Sequence, residues 1–323
     1  MSTPQQPLDW RYRSLLYKAV RRGYAQLVVT TCAWVNEQGA LAREWLREQA
    51  VGITFEECWP AARHIILNRH YHSKVAALVR VAGREKDKDA AGLAALAMAL
   101  SGGESSVLAA DRQDRDVKIV ANAIARGDDF WAWVVAQPMP EARLKLVKMV
   151  RRFAKLGRPE QQARAIAAAY LAETYDIPPA PMTAPVSGEF PYWIALDQHT
   201  REGRLVLREV ARDLHLSPQL VAWCLFYFEG SRTNQLSPSP LWQRYCRWRF
   251  GRFGMSLEEA RLVWHPLRPQ IEEALQFYEN DLHREIYRWK QEHLGQVALL
   301  REQVETFNDN LSLVGPRQKK IFE

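Results

Sequence analysis

The stretch Pro269–Leu294, PQIEEALQFYENDLHREIYRWKQEHL, sets Ile271, Leu275, Tyr278, Leu282, Ile286 and Trp289 at steps of three and four. That spacing lines apolar side chains along one face of an α-helix, so the segment predicts one long amphipathic helix. Just upstream, Ser256-Leu257-Glu258-Glu259 has the pattern of a capping box, with Glu259 placed to bond back to the Ser256 N–H. Ser217-Pro218 predicts another start, a cap followed by proline at the first helical position. The same grammar fills the first half. Leu15, Leu16, Ala19 and Val20 precede a stop at Gly23, and Leu27, Val28, Thr31, Cys32 and Val35 precede Gly39. Leu41, Trp45 and Leu46 open a third helix, and Trp59-Pro60 breaks the chain. Helices are also expected over 90–100, 117–126 and 141–156, and from Pro159 to about Tyr175. Alternating strand patterns are almost absent.

Residues 177–191 carry five prolines and cannot be helical. The expected architecture is therefore all-α, a multi-helix array in two helical halves. These are an N-terminal helical domain (1–176), a Pro-rich linker or strap (177–191), a C-terminal helical domain (192–311) and a basic flexible tail (312–323).

The 323 residues are 47% hydrophobic, enough to bury a sizeable core. No run of apolar residues is long enough to span a bilayer, and Met1–Pro7 has no apolar leader, so a cytoplasmic protein without membrane contact is expected. Cys32, Cys58, Cys224 and Cys246 are widely spaced and read as reduced, buried thiols. Neither phosphate-binding glycine motif occurs, and G-x-S-x-G and H-E-x-x-H are missing too. No cofactor or metal is expected.

Forty-four Lys+Arg against 37 Asp+Glu give a net charge of +7, which suits a nucleic acid or an acidic protein partner. Three stretches contain no acid at all: Trp10–Asn36, Ala142–Pro159 and Gly230–Leu257. In the middle one, Lys145, Lys148, Arg152 and Lys155 step by three, four and three and share a helical face. Such a face repels itself, and a polyanion relieves that repulsion while releasing counterions. The third interleaves Trp242, Tyr245, Trp248, Phe250 and Phe253 with Arg244, Arg247, Arg249 and Arg252. That pattern fits base stacking with arginine on phosphate, or rings in a core with guanidinium heads in water.

Weaker constellations are the group His64, His70 and His72, the cluster Asp111, Asp114 and Asp116, and the turn Asp197-Gln198-His199. Each has a structural reading as caps or local ion pairs. The alternatives are a metal site, a magnesium-dependent nuclease centre and an oriented general base respectively.

The order Ser14-Leu-Leu-Tyr-Lys-Ala-Val-Arg-Arg-Gly23, then Cys32-Ala-Trp-Val, Leu41-Ala-Arg-Glu-Trp-Leu and Val51 through Pro60, resembles the C-terminal helical region of the MgsA/RarA replication-recombination ATPases. The resemblance spans roughly residues 14–110. It implies a clamp-loader collar-like N-terminal half, an oligomer and a DNA-maintenance setting, without the ATPase motor. Gln318-Lys-Lys-Ile321-Phe322 resembles the peptide by which bacterial proteins dock on the sliding clamp. The expected function is a non-catalytic DNA- or RNA-binding accessory protein of replication, recombination or repair. A helical adaptor that self-assembles or binds an acidic protein is the alternative, and a nuclease or hydrolase the third reading.

Overall fold

In a computed structural model, the residues described are 8–61, 70–109, 113–139, 144, 147–148, 150–151, 159–174, 181–183, 186, 188–230 and 239–318. Their helices are α1 (Trp10–Arg22), α2 (Ala25–Glu37), α3 (Ala40–Glu57), α4 (Tyr71–Ala82), α5 (Asp89–Ser101), α6 (Gln113–Arg126), α7 (Asp128–Ala136) and α8 (Pro159–Thr174). Past the Pro-rich segment follow α9 (Arg201–Asp213), α10 (Pro218–Cys224) continued by a π-helical turn, α11 (Pro240–Gly251), α12 (Leu257–Glu292) and α13 (Leu294–Gln318). No strand occurs among the described residues, and the only β-like contacts there are two isolated bridges, Cys58 with Asp87 and Arg84 with Met182. The fold is all-α.

Several helix ends follow the expected chemistry. Gly23 ends α1 at φ 82° and donates its N–H to the Ala19 and Val20 carbonyls, a left-handed conformation that favours glycine. The Ser256 capping box is complete: Ser256 Oγ accepts from the Glu259 N–H, and Glu259 Oε2 accepts from the Ser256 N–H. It opens α12 twelve residues before Pro269, and the helix runs through Pro266 and Pro269. Buried Trp264, Leu267, Ile271 and Leu275 form one stripe across both prolines, so packing carries the helix past two missing N–H donors. At the other end, α13 continues through Gly315-Pro316 to Gln318. Residues 319–323 of the expected tail lie outside the described residues.

Where it is described, the Pro-rich segment is hydrogen-bonded to a neighbouring turn. Glu85 N–H bonds the Pro181 carbonyl and Thr183 N–H bonds the Gly83 carbonyl, which fastens the segment to the turn after α4. Two hydrophobic clusters form, and both draw on the two ends of the chain. The larger joins α1–α8 with Leu241, Val297, Leu300 and Val304. The second joins α9–α12 with Tyr12, Leu15 and Ala91.

The two clusters meet where α5 crosses α11. A Cβ on Gly92 would lie 2.4 Å from the Trp242 N and 2.5 Å from the Leu241 C, so only glycine lets these backbones approach. The preceding run, Lys86-Asp87-Lys88-Asp89, ties the crossing with charge. Lys86 Nζ donates to the Val81, Ala82 and Arg84 carbonyls at the end of α4. Lys88, wholly buried, reaches both Glu57 oxygens at 3.0 Å and lies 4.6 Å from the Trp242 ring centroid. Asp89 accepts the Leu241 N–H at 3.0 Å and so caps α11 from another helix. All four cysteines are buried free thiols.

Candidate nucleic-acid interface

The first acid-free stretch is turned inward. Lys18 Nζ lies 2.5 Å from Asp197 Oδ2, and Arg21 pairs with both Glu56 and Glu57. Arg11 meets Asp9 and Glu285, and Arg22 meets Glu229. Arg164 from α8 adds a 2.8 Å bond to Glu56. Burial alone would push the Glu56 carboxyl up, but Arg164, Arg21 and Lys88 together hold it well below the usual carboxylate range. An absence of acids in sequence therefore marks cations matched in space by carboxylates from other helices.

The third stretch divides. Arg244 is buried, pairs with Asp114 at the start of α6 and donates to the Val107 carbonyl. That corrects its expected place on a phosphate surface, since its guanidinium is already spent on holding α11 to α6. Arg249 lies 5.5 Å over Trp223. Arg252 lies over Trp248 and 3.4 Å from Glu104, and stays about half exposed. Arg247 is exposed. Of the interleaved rings, Trp242 and Phe250 are buried and Tyr245, Trp248 and Phe253 half-buried. They belong to the core, as snorkelling predicts, and offer no open stacking platform.

From the middle stretch, Lys145, Arg152 and Lys155 lie outside the described residues. Leu144, Val147, Lys148, Val150 and Arg151 are helical; Val147 and Val150 enter the first core and Lys148 is exposed. Arg151 lies 3.6 Å from Asp128 at the start of α7, which sets this turn beside the α6–α7 junction at Gly127.

On α6 there is a face that the sequence reading missed. Arg115, Lys118, Asn122 and Arg126 are all exposed and step by three, four and four. Val117, Val120 and Ala121 enter the core opposite. No ion pair to Arg115, Lys118 or Arg126 forms among the described residues. Asp114 and Asp116 are directed elsewhere: Asp114 to Arg244 and the Ala109 N–H, Asp116 to the Tyr170 hydroxyl at 2.7 Å. Trp133, on α7 seven residues past Arg126, is an aromatic left 49% exposed. α9 carries a further arginine row, Arg201, Arg204, Arg208 and Arg212, all exposed.

Asp197 Oδ1 lies 2.9 Å from His199 Nδ1 and accepts the His199 N–H, while Oδ2 holds Lys18. Burial would raise this carboxyl, yet Lys18 and His199 hold it far below the usual range. Thr200 Oγ1 accepts the Gly203 N–H to cap α9, so the turn serves as a helix cap and a cross-chain tie. His70 and His72 stack at 5.6 Å, and His64 and Asp111 lie outside the described residues. Among the described residues no group of three or more His, Cys, Asp and Glu side chains could hold a metal ion. No helix among them is long and apolar enough to cross a membrane. Gln318 ends α13, and Ile321 and Phe322 lie outside the described residues.

Comparison with protein-family models, with curated proteins and with solved structures finds no match for this chain.

Proposed function

We propose that this chain is a non-catalytic nucleic-acid-binding accessory protein that holds a sugar-phosphate backbone on cationic helix faces. The observation that carries the reading is the acid-free face of α6, with Arg115, Lys118 and Arg126 exposed beside the turn that bears Lys148. The fold makes no use of these charges. The helix already buries Val117, Val120 and Ala121, and a row of like charges weakens it by a few tenths of a kcal/mol per pair. Phosphates would remove that penalty and release counterions. Arg247 on α11 and Arg252 just past its end add exposed cations, and the buried Arg244 does not.

Contacts of this kind fix position without reading bases, so affinity should depend steeply on salt and weakly on sequence. The replication and recombination setting, and docking on a sliding clamp through Gln318, Ile321 and Phe322, stand on the two resemblances alone. The test is filter binding of labelled DNA and RNA by Arg115→Glu/Lys118→Glu/Arg126→Glu. The reading requires at least a tenfold loss of affinity with unchanged thermal unfolding, and wild-type affinity in this variant rejects it.

A self-assembling adaptor is favoured by one observation, the exposure of Leu262, Phe277 and Tyr287 on α12, at 69%, 74% and 57%. Light scattering of the wild type and Phe277→Ser decides it: the adaptor reading needs a defined oligomer that the substitution dissolves.

A further inference from the structure

We propose that the exposed face of α9 is a second phosphate-backbone contact surface, so that one molecule holds two nucleic-acid segments at once. This rests on the reading of the α6 face as a phosphate contact and extends it to another part of the fold. Arg201, Arg204, Arg208 and Arg212 step by three, four and four, and the opposite face buries Gly203, Val206, Leu207, Val210 and Ala211. The acids of α9, Glu202, Glu209 and Asp213, fall along one edge of the row rather than within it. Among the described residues, Arg201 and Arg208 form no ion pair. Arg204 donates to the His199 carbonyl at 3.1 Å. Arg212 meets only Glu209 at 3.6 Å and Asp213 at 3.0 Å, both well exposed, and pairs of that kind exchange readily for a stronger anion. At the head of the row, His199 is anchored through Nδ1 on Asp197 and remains 57% exposed, which adds a fifth polar group of fixed position.

The side-chain type points to phosphate. Between Lys155 and Lys319 the chain contains a single lysine, Lys290, while its cations there are otherwise arginine. Arginine presents a planar fork of N–H donors that matches two phosphate oxygens at once. The row runs about 16 Å along the helix axis, over which one strand of a duplex presents about five phosphates. A protein partner would need an apolar centre to the contact, and the arginine face offers only Leu205, 54% exposed.

The two cationic faces belong to different parts of the fold. α6 packs on α5 and α8, α9 packs on α10 and α12, and the path between them runs through α5 and α11. The two helices share no main packing partner, and the proposal assigns each face its own duplex.

The test is a bridging assay with the full chain. One duplex is immobilised, a second is labelled, and protein-dependent capture is read beside salt titrations of ordinary binding. The variants are Arg201→Glu/Arg204→Glu/Arg208→Glu for α9, Arg115→Glu/Lys118→Glu/Arg126→Glu for α6, and the two combined. Each single-face variant should still bind one duplex and lose at least tenfold in capture of the second. Ordinary one-duplex binding by the α9 variant, which runs through α6, should keep the wild-type salt slope, and the combined variant should not bind. Wild-type capture of the second duplex by the α9 variant overturns the second surface. So does complete loss of binding in the α9 variant alone, which makes α9 the sole site. So does unchanged DNA binding with loss of polyglutamate binding, which assigns the row to an acidic protein. A wild type that binds no duplex overturns the proposed function as well, which separates the two failures.

Discussion

Asp89 sits in an environment that ties stability to pH near neutrality. Burial, with Asp87 beside it, pushes its carboxyl up to about 7, while the N–H groups at the start of α11 pull the other way. The folded state then holds a proton that the unfolded chain has already lost above pH 4. Stability from this group is accordingly greatest in acid and falls as pH rises toward 7. Between pH 8 and pH 5 wild type should gain about 2–3 kcal/mol from it. Asp89→Asn should lack that gain in urea unfolding at the two values; an identical pH dependence in both proteins would refute the assignment. Lys18 and Asp197 make the opposite case. The depressed Asp197 carboxyl stabilises the fold throughout the range above the unfolded pKa and fails only in strong acid. Lys18→Met strips a buried carboxylate of its main partner and should cost about 3–5 kcal/mol near neutral pH. A loss below about 1 kcal/mol would mean that solvent reaches the pair. Arg244→Ala should likewise destabilise, by breaking the bond to Asp114, and leave DNA affinity within about twofold, because its head is buried.

At the scale of elements, the helix starts and stops written in local chemistry were legible, and those written in distant contacts were not. Gly23, Ser256 and Pro159 mark ends in the sequence and in the fold alike. Pro269 misled as a start because the buried stripe from Trp264 to Ile286 carries α12 across it. The capping box should matter accordingly: Ser256→Ala is expected to cost about 1 kcal/mol, read by thermal unfolding. Gly92→Ala tests the α5–α11 crossing. Its new Cβ would strike backbone rather than a side chain that can swing away, so the loss should exceed the 1–3 kcal/mol usual for an overpacked core. A Gly92→Ala protein as stable as wild type would show that the helices separate at little cost. The candidate site was less readable than the helices, for a physical reason. A window empty of acids looks unpaired along the chain, yet Arg21 and Arg244 find Glu56, Glu57 and Asp114 across helix contacts far apart in sequence. Conversely, the α6 face hides behind Asp114 and Asp116, which break up the basic pattern in sequence but point away from it in space. Helical spacing of Arg115, Lys118 and Arg126 was the signal that could have found it.

For the whole molecule, whose net charge is +7, the cations fall into an internal lattice of ion pairs that joins α1, α3, the start of α5 and α8, and external rows on α6 and α9. The inner set fixes how the helices meet; the outer set is exposed, and in the proposed reading it contacts phosphate. This division predicts that the two sets respond to different measurements, with inner substitutions changing unfolding and outer ones changing binding and its salt dependence. The most direct measurement is a titration of labelled DNA at 50 and 200 mM salt with wild type and with Arg115→Glu/Lys118→Glu/Arg126→Glu. Wild type should lose about tenfold to a hundredfold in affinity over that interval, and the variant should bind at least tenfold more weakly at low salt while unfolding at the same temperature. A wild-type affinity indifferent to salt, or a variant that binds as tightly as wild type, would contradict the account.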